Sequence, residues 1–323
     1  RAENLFWLGR YLNRAITTAR MIRFNLKSML NINRYDDNTN AKQATKILNV
    51  ALTHLSMSYP GFLEEDIKPI NEIIDLIQNN NRPGTLSSTL NMLSNINANV
   101  KSLLTMEAWR IFEKMQKEWL IYNKRQVITN REHINELDKI LIYLMAYKEL
   151  IDESIFKEQG LILYDIGCKI EISQLLISKL RSLLTNKLDM ILEYDILDSM
   201  LNSYESYNSY RAYYKSTLDL ENVLEFLLFN TKYPKSLIYI LEELLSDLKD
   251  LPRDVKSSHL TTFEEPIFRS YSMLKLSTTE KLLVLEEEKF VYKELDIFLS
   301  KISDNLAQTS EVMGILLGKC PNE

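Results

Sequence analysis

Residues 5–30 read LFWLGRYLNRAITTARMIRFNLKSML, and residues 163–188 read LYDIGCKIEISQLLISKLRSLLTNKL, one apolar register written twice, 158 residues apart. In the first stretch Leu5, Leu8, Leu12, Ala15, Ala19, Ile22, Leu26 and Leu30 step by threes and fours. In the second, Leu163, Ile166, Ile170, Ser173, Ile177, Leu180, Leu184 and Leu188 hold the same places. Such steps bring every one of these side chains onto one side of a helix, so each stretch is a helix with a seam to bury. Gly9 falls on Gly167 and Arg23 on Arg181. Glycine inside a helix costs ~1 kcal/mol against alanine. Its recurrence at one position predicts a close approach there, of the two helices to each other or of each to a neighbour.

A second block recurs further on. Leu76-Ile77-Gln78-Asn79, then Pro83-Gly84-Thr85-Leu86 and Leu90, matches Leu227-Leu228-Phe229-Asn230, then Pro234-Lys235-Ser236-Leu237 and Leu241, at a spacing of 151. In each place a short apolar helix ends, a turn follows and a proline restarts the chain. The expectation is an all-α chain forming a single helical, bundle-like domain over 1–323. It is built from two tandem repeats, about 1–130 and 157–317, around an approximate twofold axis.

Apolar periodicity and turn residues place the helices. They are expected at about 2–30, 41–58, 85–122, 131–156, 159–187, 193–216, 221–229, 235–251, 264–276 and 279–317. Short pieces interrupted at Pro69 fill 64–80, Tyr59-Pro60-Gly61 is a turn, and the polar stretch 31–40 ends the first helix.

Composition narrows the function. The 323 residues are 46% apolar, with seven glycines and seven prolines. That leaves no Gly-rich loop to cradle a phosphate, and the nucleotide-binding fingerprints are missing. A net charge of −5 argues against a general nucleic-acid binder, while leaving local basic patches open. Cys168 and Cys320 are too few and too far apart for a disulfide framework or zinc knuckle. Cys168, inside the second repeated helix, reads as a buried small hydrophobe, with a reactive thiol as the alternative. No apolar run approaches the ~20 residues of a membrane span. No secretory signal pattern opens the chain, whose first residue is Arg1. A cytoplasmic protein that contacts neither membrane nor nucleic acid is expected.

Polar candidates are few. A second stripe on the first helix, Glu3, Trp7, Arg10, Arg14 and Thr17, presents a carboxylate, an indole and two guanidiniums. It could grip a carboxylate or phosphate. Alternatively it is an ion-paired face bridging to Glu64, Glu65 and Asp66. Tyr204, Tyr207, Tyr210 and Tyr214 form a helical stripe beside Arg211 and Lys215, read as core packing over base stacking. Glu107, Trp109 and Arg110 sit within a long helix. Glu171, one turn beyond Gly167, would want a cationic partner such as Arg211. His54, His133 and His259 are isolated, and no paired Glu-x-x-His run exists, so neither metal nor cofactor is expected. The run Glu286-Glu287-Glu288 reads as a solvated helix face.

The opening Arg1-Ala2-Glu3-Asn4-Leu5-Phe6-Trp7-Leu8-Gly9-Arg10-Tyr11-Leu12, followed by Arg14-Ala15, resembles the start of the bacterial alpha-E domain family. Thr105, Glu107 and Trp109 resemble its Ser-x-Glu-x-Trp segment, and Asp165-Ile166-Gly167 with Glu171 its second Gly-Arg-x-x-Glu-Arg-Ala block. Ser209-Tyr210-Arg211 with Tyr214 resembles its Thr-Tyr-Arg-x-x-Tyr motif. Val223 to Leu228 and Tyr233-Pro234-Lys235-Ser236-Leu237 resemble its Leu-rich strip and Asn-Pro-Arg-Ser-Leu turn. Against that pattern Asn13 replaces Glu, Cys168 and Ile172 replace Arg, and Leu161 replaces Trp.

The resemblance implies a helical component of a peptide or amide ligation system. Family members are typically encoded beside, or fused to, circularly permuted ATP-grasp proteins, often with transglutaminase-like proteases nearby. The leading expectation is a module without activity of its own that docks such a ligase and holds its peptide substrate. An enzyme using Glu107, Glu171 and Arg211 in an internal polar pocket is the alternative, and a structural scaffold the third. The candidate pocket residues are Glu3, Arg10, Glu107, Glu171, Tyr210, Arg211 and Tyr214.

Overall fold

A computed structural model describes residues 2–32, 39–154, 159–215, 217–252 and 258–317. Fourteen α-helices and no strand occur among these residues. The chain divides into two compact units at Cys168/Lys169, a boundary inside one helix.

The first unit is organised by α1 (Ala2–Ile32). Its seam is buried as the spacing requires, with Leu8, Leu12, Ala15, Ala19, Ile22 and Leu26 all at 0% exposure. Each fully buried leucine or isoleucine contributes roughly 1.5–3 kcal/mol, so a charge at Leu12 would undo the helix's packing. Around α1 lie α2 (Thr39–Ser56), α3 (Pro69–Gln78), α4 (Leu86–Val100) and α6 (Asn130–Ser154), and α5 (Met106–Asn123) packs on α6. α6 runs antiparallel to α1, because Lys148, Met145 and Asp138 meet Asn13, Arg20 and Arg23 in reverse order. Asn25 ties α1 to α2 through the Leu48 carbonyl and the Asn49 side chain.

The start of α7 (Gln159–Leu184) crosses α1 at the two glycines. A Cβ added to Gly9 would run into the Tyr164 carbonyl oxygen, and one added to Gly167 into the Phe6 carbonyl oxygen. Phe6 and Tyr164 are themselves 158 residues apart. Each glycine therefore meets the counterpart of what the other meets, and the expected close approach is that of the two repeated helices.

In the second unit the remainder of α7 packs its own seam inward. Ile170, Ser173 and Leu180 are at 0% exposure. The helices that follow are α8 (Met190–Ser203), α9 (Tyr207–Tyr214), α10 (Leu220–Leu224), α11 (Leu237–Lys249), α12 (Glu264–Leu276), α13 (Thr279–Leu282) and α14 (Lys293–Leu317). A π-helical turn over Glu225–Phe229 extends α10. α14 lies antiparallel to α7, with Ser303 bonded to Gln174 and Asp296 to Arg181. That last ion pair matches Arg23–Asp138 of the first unit, both ends being displaced by 158 residues.

Several boundaries differ from the expectation. The helix expected over 85–122 is broken: Leu104 is extended and Thr105 caps α5 by accepting from the Ala108 amide. That over 193–216 is two helices, because Glu205 takes a left-handed backbone (φ 53°) after Tyr204. The tyrosine stripe is split accordingly. That over 279–317 stops at Leu282, and 283–292 is a turn with short bridges at Asn186–Val291 and Glu286–Val291. Glu287 and Glu288 are solvated, on that turn and not on a helix. Pro69 opens α3 at its first position instead of interrupting it, where its missing N–H goes unneeded. Much of the polar stretch 31–40, and the end of the helix expected to 156, lie outside the described residues.

Candidate functional site

The stripe on α1 occupies the one face of that helix that reaches the surface. Glu3, Trp7, Arg10, Arg14 and Thr17 are all half-buried between fully buried neighbours. The Arg10 guanidinium lies 5.8 Å from the Trp7 ring centre and that of Arg14 4.8 Å from Tyr11. Cation–π contact sets each guanidinium beside an aromatic ring of its own helix. Beside them Asn13 donates to the Gly9 carbonyl at 2.8 Å and accepts from Lys148 at 3.1 Å. Arg23 takes Asp138, on α6, at 2.8 Å. One acidic partner of this helix thus comes from α6, and Glu64, Glu65 and Asp66 are exposed.

Cys168 lies against Gly9, 6% exposed. Burial pushes its thiol up to about 11, so it is protonated and unreactive near neutrality, the small-hydrophobe reading. Cys320 lies outside the described residues.

The other candidates are distributed across both units. Glu107 is exposed in the first turn of α5, and Trp109 is half-buried under the Lys101 ammonium, 4.1 Å from its ring. In the second unit Glu171 is buried in α7 at 2% exposure. Tyr210 is fully buried, donating from its hydroxyl to the Thr217 carbonyl at 2.7 Å, and burial pushes that hydroxyl up to about 12. Its ring stacks on Tyr214 at 4.9 Å and meets Phe226 edge-on at 5.5 Å. Arg211 is exposed, its guanidinium over Tyr207. Tyr210 and Tyr214 therefore belong to an aromatic core, as their spacing suggested. Glu107 and Arg211 do not belong to an internal pocket, because helix geometry turns both toward water.

Three polar clusters escaped the sequence reading. Arg82 grips Glu72 with both nitrogens (2.6 and 3.0 Å), and also reaches Asp75 and the Ser58 carbonyl. His133, taken as isolated, bonds the buried Tyr122 hydroxyl through Nδ1 at 2.5 Å. Lys179, 1% exposed, donates to Ser203 at 2.9 Å beside the Tyr204 ring. A lysine within the apolar run 175–180 was the available signal for the last; long-range pairing left none for the other two. Among the described residues no group of three or more His, Cys, Asp or Glu could hold a metal ion. Nor is any described helix long and apolar enough to cross a membrane.

A family described as a predicted alpha-helical domain with a conserved ER motif matches residues 1–314. Uncharacterized proteins of Mycobacterium bovis and of two Mycobacterium tuberculosis strains are each 25% identical over 273 residues. The alignment covers 79% of this chain and 30% of each relative, so the chain spans about a third of their length. No solved structure matches. The sequence itself holds no Glu-Arg pair. Residues 13–14 read Asn-Arg and 171–172 read Glu-Ile at the two places where the resemblance sets it. In the first of these the neutral Asn13 amide, not a carboxylate, receives Lys148.

Proposed function

The chain belongs to the alpha-E family, and from that premise we propose that it is the non-catalytic helical partner of an ATP-grasp-type peptide or amide ligase. It works in the cytoplasm, where ATP is at hand, and holds the ligase's peptide substrate. One observation carries this reading: two guanidiniums, of Arg10 and Arg14, stand beside aromatic rings along the half-buried stripe of α1. Guanidinium and aromatic side chains together suit recognition of a peptide, which offers carboxylate and carbonyl oxygens. The exposed settings of Glu107 and Arg211 favour holding and docking over an internal catalytic pocket. ATP activation requires phosphate-binding loops, and in this reading the ligase contributes them.

Co-purification with the neighbouring ATP-grasp protein, followed by ATP turnover with and without this chain, tests the proposal. A stable complex with altered turnover, weakened by Arg10→Met with Arg14→Met, is the expected result. A ligase that forms no complex and turns over ATP indifferently would overturn it, leaving a scaffold.

A further inference from the structure

In the second unit, large apolar side chains are exposed where α8 begins. Met190 is 83% exposed, Ile191 58% and Tyr194 50%. The turn before α14 adds a fourth, Phe290, at 63%. Backbone bonds fix that turn alongside: the Lys187 amide donates to the Phe290 carbonyl at 2.8 Å, and the Tyr292 amide to the Thr185 carbonyl at 2.8 Å. Single exposed apolar residues need no explanation, but a group of this kind on two joined segments does.

Phe290 supplies a second observation. Its backbone is left-handed, φ 53°, where a bulky residue is disfavoured and glycine or asparagine would sit unstrained. Here the chain holds a strained backbone under a side chain that faces water. Strain without internal packing to compensate it points to a task at the surface.

Charge identifies what the surface fits. Within 184–195 and 284–292 stand Asp189, Glu193, Asp195, Glu286, Glu287 and Glu288 against two cations, Lys187 and Lys289. Both lysines already lie beside carboxylates, at Glu193 (3.7 Å) and Glu286 (3.2 Å). We infer that the first turn of α8 and the 284–292 turn form a docking surface for a basic amphipathic helix of a partner protein. Its apolar side covers Met190, Ile191, Tyr194 and Phe290, and its lysines or arginines meet the acidic rim. The surface deepens the docking role proposed above by naming the chemistry of the partner segment.

The probe is an 18-residue helical peptide, leucine and phenylalanine on one side and lysine on the other, with glutamate replacing lysine in the control. Binding to the full chain is followed by fluorescence anisotropy. The lysine peptide binds and the glutamate peptide does not. Glu287→Lys with Glu288→Lys weakens binding about tenfold or more. Phe290→Gly weakens it similarly while the melting temperature stays or rises, because the strain is relieved. Equal binding of the glutamate peptide, or undiminished binding by Phe290→Gly, overturns the inference. So does a wild-type chain that self-associates through this surface, or a lower melting temperature in both Phe290→Gly and Met190→Ser. If the ligase fails to co-purify but the lysine peptide binds, the functional reading falls and this surface stands. A ligase that co-purifies equally well with Phe290→Gly has the opposite meaning.

Discussion

In the first unit Arg82 reaches back seven residues to Asp75 and ten to Glu72, joining the turn before α4 to α3 by charge. In the second unit the positions 151 residues on are Tyr233, Phe226 and Val223. There the rings of Tyr233 and Phe226 stack at 4.1 Å. The turn that follows is built alike in both. Thr85 and Ser236 each donate a hydroxyl to the carbonyl of Asn79 or Asn230, and each caps the helix that follows by accepting from an amide of its first turn. Backbone-directed hydrogen bonds are the common part, and the side-chain join between the two segments differs. A turn defined by its caps accepts any join that spans the gap and leaves no polar group stranded.

The largest effect comes from the first unit's crossing of α1 with the start of α7. Gly167→Leu has no room at the α1–α7 crossing, where even a Cβ meets the Phe6 carbonyl. Loss of cooperative unfolding in circular dichroism is the expected outcome, and a native-like melt would refute the packing account.

Next in size is Arg82→Ala, which strands the Glu72 carboxylate at 7% exposure. Leaving a buried charge uncompensated costs ~3–5 kcal/mol, measurable by urea denaturation. Transplanting the other unit's solution, Glu72→Val and Asp75→Phe with Arg82→Tyr, recovers most of that loss if the two joins are interchangeable. A triple variant no better than Arg82→Ala breaks the comparison.

A smaller difference is pH-dependent. Burial holds His133 below the ordinary histidine range, while its counterpart 158 residues on is Val291. Folded His133 is neutral, so the unfolded chain binds the proton more readily. Stability is unaffected above the ordinary histidine value and falls as pH drops from there toward the lowered one. Hydrogen exchange should show the acid sensitivity in α5 and α6, and His133→Gln should reduce it. The smallest effects belong to the matched ion pairs. Arg23→Ala and Arg181→Ala should each cost no more than ~1 kcal/mol, because these pairs are partly solvated.

The seams of α1 and α7 were legible because burial follows period, and period is written in the order of apolar residues. Gly9 and Gly167 were legible because an unfavourable residue at a repeated position needs a cause. The breaks at Thr105, Glu205 and Leu283 were not. None carries a proline or glycine, and each depends on a cap or a left-handed residue whose preference is weak without its tertiary surroundings. Of the candidate site, the stripe on α1 and the packing of Tyr210 with Tyr214 could be read from spacing. The exposure of Glu107 and Arg211 could not, since a helix's outer side is set by what packs against it. Lys148 came to Asn13 from 135 residues away, and no local pattern announces such a meeting.

The glycine crossing joins peptide groups, not side chains. Gly9 and Gly167 face main-chain oxygens, so the register between the helices is set by steric contact of backbone atoms and not by rotamer choice. A slide of one residue along either axis would replace hydrogen with carbon at a carbonyl and jam. The crossing is a steric stop: sliding either helix past the other drives a side chain into a main-chain oxygen.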